Sequence, residues 1–216
     1  MSTTETQTIT VLIADDHPIV RHGLSAIINH EADMNVVALA EDGEQAIAMY
    51  RQYEPDVALV DLRMPYKNGI EVIEAIRKEY RSARIIILTT FDTDEDIYQG
   101  LRAGAMAYML KGVAPDDLLN SIRTANDGQR NVAPDLANRV MNRMRLPELT
   151  SRELDVLRLL VTGRSNKEIA AALGVGEGTV RTHCNSIFPK LGVSDRTQAT
   201  TAALKRGLIR LDDVVA

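Results

Sequence analysis

The sequence predicts two domains: a doubly wound α/β domain built on five parallel strands, followed by an all-helical domain. In residues 8–127, short β-rich apolar runs alternate with stretches of helical periodicity, a pattern typical of a parallel sheet. Beyond residue 148, apolar residues recur only at helical spacing, so no strand is expected there. The 216 residues suit two domains of roughly 100 residues each better than one small domain.

The first domain is expected to have the strand order 2-1-3-4-5. Pro18 and Pro115 mark the starts of its first and last helices, because proline is tolerated in a first turn. The predicted strands are 9–14, 36–39, 57–61, 85–89 and 106–110. The other predicted helices are 45–53, 70–79 and 93–103, and the last helix continues to about residue 126.

The remaining chain is divided into a linker and the helical domain. Residues 128–147 have no strand pattern and contain one short helix beginning at Pro134, so we interpret them as a linker. Residues 148–211 form the second domain, with four helices expected near 154–161, 169–173, 180–187 and 199–208.

Composition excludes several classes of protein. No apolar run approaches the ~18 residues of a membrane span, and the N-terminus lacks a basic, apolar signal segment. Cys184 is the only cysteine, so no internal disulfide forms. The four histidines and this cysteine have no metal-ligand spacing, which argues against zinc or haem. We expect a cytoplasmic protein with no membrane association.

The charge differs between the two halves. Residues 1–125 carry 20 acidic and 11 basic side chains, a net charge of −9, whereas residues 149–211 carry 5 acidic and 10 basic, a net charge of +5. Variation between two domain surfaces would also produce such a difference. Nucleic acid is nevertheless the first candidate partner for the basic half.

Polar residues follow four of the predicted strands. Asp15 and Asp16 end the first strand, Asp61 ends the third, and Thr89 and Lys111 end the fourth and fifth. The carboxyl ends of parallel strands meet at one edge of a sheet, so these side chains are expected to converge. Three carboxylates suit Mg²⁺, and a hydroxyl and an ammonium suit phosphoryl oxygens.

Each of these residues also has an ordinary structural explanation. Aspartate and threonine at strand ends often cap the next helix, and Lys111 alone would be a solvated loop lysine. Their order on four strand ends favours a site in which an ionised Asp61 attacks phosphorus to form an acyl phosphate. Thr89 and Lys111 then bind the phosphoryl oxygens.

Residues 9–127 resemble a response-regulator receiver domain. The motifs that carry the resemblance are Asp15-Asp16, Asp61 followed by Met64-Pro65, Thr89, and Lys111 preceded by Gly104-Ala105 and Tyr108. The resemblance implies that Asp61 accepts phosphate from a sensor histidine kinase. It also implies that Asp15, Asp16, Asp61 and the backbone carbonyl of Arg63 hold Mg²⁺, and that Thr89 and Tyr108 form a switch pair.

The rim of this site departs from the commoner family pattern. Tyr66 and Lys67 follow Met64-Pro65 where small or apolar residues are frequent, and Phe91 follows the Thr89-Thr90 pair. A bulkier rim is expected to slow the entry of the water that hydrolyses the phosphoryl group.

The pattern of residues 168–180 predicts a helix, a glycine-rich turn and a second helix. The glycines do not form a nucleotide loop, because that fingerprint follows a strand and here follows the helical segment EIAAAL. A helix-turn-helix fits, with the second helix in the DNA major groove. Along that helix Val180, Cys184, Ile187 and Leu191 recur at core spacing, so Cys184 is expected to be a packing residue.

The other faces of the second helix carry candidate DNA contacts. Arg181, Thr182 and Asn185 are placed to read base edges. Side chains placed to contact phosphates are those of His183, Lys190, Asn166 and Lys167. A solvated polar face in a four-helix protein-binding module remains the alternative.

Residues 149–192 closely resemble a LuxR-type DNA-binding domain. The matching segments are LTSRE at 149–153, GRSNKEIA at 163–170, TVRTH at 179–183 and KLG at 190–192. The whole chain is therefore similar to the NarL/FixJ class of response regulators. The resemblance implies binding of double-stranded DNA as a homodimer through the last helix, near 195–206, where Ala199, Ala202 and Ala203 permit close approach.

Pro189 is the main departure in this half. An interior proline removes a helical hydrogen bond and strikes the carbonyl four residues back, that of Asn185, costing about 3 kcal/mol. We therefore expect the second helix to kink or end near Phe188. Gly176 occupies the position of a helix cap, where it is a weaker cap than serine.

These features predict a DNA-binding transcriptional regulator, not an enzyme, whose assembly and promoter binding respond to phosphorylation at Asp61. Two alternatives remain open. One is an aspartyl-phosphate enzyme such as a phosphatase, for which no general base is evident. The other is a constitutive DNA-binding regulator whose first domain serves as a dimerisation or protein-interaction platform.

Overall fold

The computed structural model describes residues 8–209. The main division of the chain falls between Ala137 and Asn138, and the two units are described separately. Residues 210 and 211 of the predicted second domain lie outside the described residues. No helix within the described range has both the length and the apolar character needed to cross a membrane.

The first unit is built on a five-stranded parallel sheet. Its strands are β1 (Ile9–Ala14), β2 (Met34–Ala40), β3 (Val57–Val60), β4 (Ile85–Thr89) and β5 (Ala107–Leu110). Their order is β2-β1-β3-β4-β5, which confirms the predicted topology. The register pairs Ala14 with Val60 and Thr89 with Leu110, so the strands end level with one another in pairs. The residues that follow these ends therefore lie along one edge.

Five helices surround this sheet: α1 (Pro18–Asn29), α2 (Gly43–Tyr53), α3 (Gly69–Glu79), α4 (Asp94–Ala103) and α5 (Pro115–Asn126). The core contains apolar side chains from β1, β3, β4, α1 and α5, and Leu118 and Ile122 of α5 are buried in it. Helix α3 begins with a capping box, in which Asn68 and Glu71 each accept a hydrogen bond from the other's backbone. This cap fixes where the loop after β3 ends.

The chain continues with five helices: α6 (Pro134–Met144), α7 (Ser151–Val161), α8 (Asn166–Leu173), α9 (Glu177–Leu191) and α10 (Arg196–Lys205). Helix α6 begins at Pro134 as predicted. Helices α7 and α8 both begin with capping boxes, at Thr150 and Ser165. The core formed by α7 to α10 includes Val156, Leu160, Ile169, Val180 and Ile187. This unit therefore has a hydrophobic core of its own.

Helix α9 continues through Pro189, so the predicted end near Phe188 is wrong, while the predicted kink stays a prediction. Pro189 and Asn185 are both exposed, so the carbonyl that loses its donor lies on a face open to solvent. The helix ends two residues later at Leu191, where Gly192 takes the left-handed conformation (φ 66°) and its N–H bonds back to the helix. The glycine, not the proline, ends the helix.

Candidate functional site

The carboxyl edge of the sheet brings Asp15, Asp61 and Lys111 together. Both carboxylates are buried, with 2 % of Asp15 and 3 % of Asp61 exposed. The Nζ atom of Lys111 lies 2.7 Å from Oδ2 of Asp15 and 2.7 Å from Oδ2 of Asp61. The structure thus gathers residues from β1, β3 and β5 into one charged cluster, as the strand-end pattern predicts.

The electrostatics of the cluster keep Lys111 protonated. Burial alone would lower the pKa of the Lys111 ammonium, but its hydrogen bonds to Asp15 and Asp61 outweigh that effect and raise the pKa above its ordinary value. One fixed positive charge therefore faces two buried carboxylates. The cluster has negative charge available for a cation.

The acidic side chains have the geometry of a cation site. Ligand atoms of Asp15, Asp16, His17 and Asp61 all lie within 4.8 Å of one another. Oδ1 of the buried Asp61 has no hydrogen-bond partner among the described residues. Carboxylate oxygens suit a hard cation such as Mg²⁺, so the donor set fits that ion. Arg63 lies two residues beyond Asp61, and its carbonyl as a further ligand remains a prediction.

His17 is a further member of this cluster, which the sequence did not predict. Its Nδ1 atom lies 2.6 Å from Oδ1 of Asp16 and 3.4 Å from Oδ1 of Asp15. Its side chain is 66 % exposed, whereas that of Asp16 is 34 % exposed. The only sequence signal was its position directly after the two aspartates.

Thr89 and Tyr108 contact the same residue, Phe91. Thr89 is fully buried at the end of β4, and its Oγ1 accepts a hydrogen bond from the N–H of Phe91 at 3.4 Å. The hydroxyl of the buried Tyr108 donates to the carbonyl of Phe91 at 2.6 Å. The Tyr108 hydroxyl is thus bonded to the protein backbone. The segment after β4 links the two residues of the predicted switch pair.

The loop after β3 forms the rim of the site. A Cβ atom on Gly69 would lie 2.3 Å from the carbonyl oxygen of Asp61, so only glycine permits this close approach. Tyr66 projects into solvent, 80 % exposed, from a backbone with φ 64°. The guanidinium carbon of Arg63 lies 4.3 Å from the centre of the Phe91 ring. The large side chains of Arg63 and Phe91 therefore contact each other across the rim.

Helix α9 separates core residues from candidate DNA contacts. Val180, Cys184, Ile187 and Leu191 are buried, as predicted. Burial raises the pKa of the Cys184 thiol, which keeps it protonated and suits a packing role. The predicted base-reading residues Arg181, Thr182 and Asn185 are exposed on the other faces.

The predicted phosphate contacts divide into two groups. Lys167 is exposed, and Asn166 and His183 are partly exposed, so all three remain accessible. Lys190 is different, because its Nζ lies 2.7 Å from Oε2 of the buried Glu153. The ammonium is thus bound within the protein, and its contact with a DNA phosphate remains a prediction.

Two of the three alanines predicted at the dimer interface are buried within the domain. Ala199 and Ala203 are fully buried in the core formed by α7 to α10, so they do not form an interface surface. Their small size lets α10 pack closely against its own domain. Only Ala202 of the three is partly exposed.

Two family models match the chain. The response regulator receiver domain matches residues 11–123, and the luxR family of bacterial regulatory proteins matches residues 147–203. The first covers more than half of the chain. The chain therefore belongs to the response regulators with a receiver and a LuxR-type DNA-binding domain, the LuxR/NarL family.

Relatives of similar length share both halves. The chain is 39 % identical over 213 residues to the transcriptional regulatory protein YxjL of Bacillus subtilis, covering 94 % of this chain and 98 % of that one. It is 36 % identical over 208 residues to the response regulator VraR of Staphylococcus aureus, covering 94 % and 100 %. The family is one of transcriptional regulators, not of enzymes.

Solved structures support the same assignment. The response regulator ChrA of a heme-sensing two-component system is 39 % identical, with a TM-score of 0.56 and coverage of 94 % and 99 %. RcsB of Salmonella typhimurium is 28 % identical, with a TM-score of 0.69 and coverage of 90 % and 98 %. A structure of two RcsB dimers bound to two parallel DNAs gives 28 % identity, a TM-score of 0.66 and coverage of 91 % and 98 %. This protein is a DNA-binding response regulator.

Proposed function

We propose that a sensor histidine kinase phosphorylates Asp61 and that phosphorylation shifts the protein toward a homodimer that binds promoter DNA. The single observation that carries the proposal is the environment of Asp61. One of its oxygens is bound by Lys111, while the other is buried and without a partner among the described residues. A buried acceptor in that state is costly unless something binds there.

The chemistry follows from the positions of the side chains. The carboxylate of Asp61 attacks the phosphorus of a phosphohistidine, forming an O–P bond as the N–P bond breaks and leaving the imidazole behind. Lys111 and Thr89 donate hydrogen bonds to the phosphoryl oxygens. Asp15, Asp16, Asp61 and the carbonyl of Arg63 would hold Mg²⁺, which would neutralise negative charge on the phosphoryl group.

The response to the phosphoryl group passes through the segment after β4. Thr89 and Tyr108 both bond to the backbone of Phe91, so a movement of Thr89 toward the phosphoryl group displaces the partner of the Tyr108 hydroxyl. The α4–β5–α5 face therefore has two arrangements, one with and one without this contact. Phosphorylation changes the populations of the two arrangements. That face is the proposed output surface of the receiver.

The DNA-binding half acts through α9. Arg181, Thr182 and Asn185 read base edges in the major groove, and each well-formed bidentate contact discriminates against the wrong base by about 1–3 kcal/mol. Asn166, Lys167 and His183 contact phosphates and set the position of the helix. The proposed boundaries are residues 8–127 for the receiver, 128–147 for the linker and 148–211 for the DNA-binding domain, in a cytoplasmic protein.

A phosphorylation experiment tests the proposal. Wild type, Asp61→Asn and the control Glu74→Gln, at an exposed carboxylate on α3, are incubated with phosphoramidate and Mg²⁺. Intact mass, light scattering and affinity for a duplex selected by the protein from a random-sequence pool are then measured. Wild type and Glu74→Gln are expected to gain one phosphoryl group, dimerise and bind DNA more tightly, whereas Asp61→Asn does none of these.

Two outcomes contradict the proposal in different ways. Phosphorylation of Asp61→Asn would show that the acceptor is another residue. Phosphorylation of wild type without a change in assembly or DNA affinity would leave the acceptor in place but remove the switch.

A further inference from the structure

A buried carboxylate in the DNA-binding unit has no part in the mechanism above. Glu153, the third residue of α7, is 4 % exposed. Its Oε2 atom accepts hydrogen bonds from the backbone N–H of Thr150 at 2.7 Å and from Nζ of Lys190 at 2.7 Å. Its Oε1 atom accepts a hydrogen bond from the hydroxyl of Ser186 at 2.6 Å. One side chain thus caps α7 and binds α9 at two points.

The two contacts on α9 lie on either side of its proline. Ser186 and Lys190 are four residues apart and share a helix face, while Pro189 lies between them. Pro189 has no N–H to donate to the carbonyl of Asn185, so the helix lacks one hydrogen bond in a turn that overlaps the interval between the two Glu153 contacts. The side-chain bridge therefore covers the weakened turn.

We propose that Glu153 is a positioning residue for DNA recognition, holding the C-terminal turns of α9 in line across Pro189 through Ser186 and Lys190. Helix α9 then keeps its full length to Leu191 despite the proline. Lys190 contributes to DNA affinity through this bridge and not through a phosphate. The inference rests on the proposed role of α9 in reading DNA.

The charges within the bridge fit a structural role. Burial alone would raise the pKa of Glu153, but hydrogen bonds from Lys190, Ser186 and Thr150 outweigh it and lower the pKa to about 2. The carboxylate is therefore ionised at neutral pH and balances the Lys190 ammonium. A lysine whose charge is balanced inside the domain gains little by facing a phosphate.

The test measures DNA affinity of the full-length protein as a function of salt. The variants are Glu153→Gln, Lys190→Met, Pro189→Ala and the double variant with Glu153→Gln and Pro189→Ala. The probe is a duplex selected by the wild-type protein from a random-sequence pool. Arg181→Ala serves as a control for the role of α9, and circular dichroism reports whether each variant is folded.

Glu153→Gln and Lys190→Met are each expected to weaken binding about tenfold without changing the slope of log affinity against log salt. A lost phosphate contact would instead reduce that slope by about 0.9. Pro189→Ala restores the missing N–H, so it is expected to recover most of the affinity that Glu153→Gln loses. Pro189→Ala neither restores the Glu153 carboxylate nor adds a charge that could contact DNA. A recovery of DNA affinity would therefore show that the geometry of the helix causes the loss.

The proposal is overturned if Lys190→Met reduces the salt slope by about one, or if Pro189→Ala recovers nothing in the Glu153→Gln background. If Glu153→Gln is unfolded, Ser186→Ala replaces it in the same comparison, because it removes one hydrogen bond from the bridge. Unchanged affinity in Arg181→Ala would instead refute the role of α9 in DNA reading. The two failures are therefore distinguishable.

Discussion

At the scale of single residues, the acidic edge depends on one shared ammonium. Lys111 lies 2.7 Å from a carboxylate oxygen of both Asp15 and Asp61, which are otherwise like charges buried side by side. Removing one member of a buried cluster of charges lowers the folding stability by more than the intact cluster contributes to it, because the remaining charges are left uncompensated.

We expect Lys111→Met to destabilise the receiver by about 3 kcal/mol, since two buried carboxylates would then face each other without a cation. Urea denaturation followed by tyrosine fluorescence measures this, because all six tyrosines precede residue 109. Lys78→Met, at an exposed lysine on α3, is the matched control. Equal stability of the two variants would contradict the shared-ammonium interpretation.

Tyr66 lies in a backbone conformation that favours glycine. Its φ of 64° costs a residue with a Cβ atom roughly 1–2 kcal/mol, while glycine loses more chain entropy on folding. Tyr66→Gly is therefore expected to stabilise the receiver by about 0.5–1 kcal/mol in the same denaturation assay. Tyr66→Ala retains the Cβ atom and should gain little. An equal gain from both substitutions would indicate that the exposed ring, not the backbone, is unfavourable.

At the scale of secondary-structure elements, caps decide where helices begin. Helix α2 starts at Gly43, two residues before the predicted start, because the side chain of Asp42 accepts a hydrogen bond from the N–H of Gln45. Helix α8 likewise starts at Asn166, three residues before its first buried residue, behind the Ser165 cap. Apolar periodicity marks only the part of a helix that packs on the core. It therefore places the first turn too late.

The capping box of α7 gives a prediction about pH. The pKa of Glu153 is lowered from 4.5 to about 2 in the folded protein. The ionised side chain therefore contributes roughly 3 kcal/mol to the free energy of unfolding. This contribution is fully present above pH 4.5 and is lost as the pH falls toward 2. Glu153→Gln should be less stable than wild type at neutral pH, and the difference should narrow as the pH falls below about 4.5.

Differential scanning calorimetry of the full chain between pH 2 and 7 checks this prediction. Glu168→Gln is a matched control, because Glu168 has the same capping-box position in α8 but is exposed. Hydrogen bonds from Ser165 also lower the pKa of Glu168, so the control should show the same sign with a smaller effect. A constant difference between Glu153→Gln and wild type across the pH range would exclude an ionised Glu153 as the source of the stability.

At the scale of the whole molecule, each of the two units has its own buried apolar cluster among the described residues. One is formed by the sheet with helices α1 and α5, and the other by α7 to α10. A unit with its own core is expected to fold without the other. We therefore expect fragments 1–127 and 148–216 each to unfold cooperatively, the first with α/β and the second with all-helical circular dichroism spectra. A fragment that is soluble but unfolded would move the proposed boundary.

The order of elements in the first domain could be predicted from the sequence because each strand is a short apolar run bounded by breakers. The bounds of β1 and α5 agree residue for residue with the structure, and the sheet order is a common one for doubly wound parallel sheets. The site was predictable for the same reason. Parallel strands place their carboxyl ends at one edge, so residues as distant in sequence as Asp15 and Lys111 meet there.

The sequence by itself therefore determined the two-domain plan, the sheet topology and the convergence of Asp15, Asp61 and Lys111, since these depend on periodicity and chain direction. Tertiary structure alone decided the partners of individual side chains. It placed Lys190 on Glu153, buried Ala199 and Ala203 in their own core, and carried α9 through Pro189. The physical reason is that hydrogen-bond partners and burial depend on distances across the fold, which spacing along one helix does not specify.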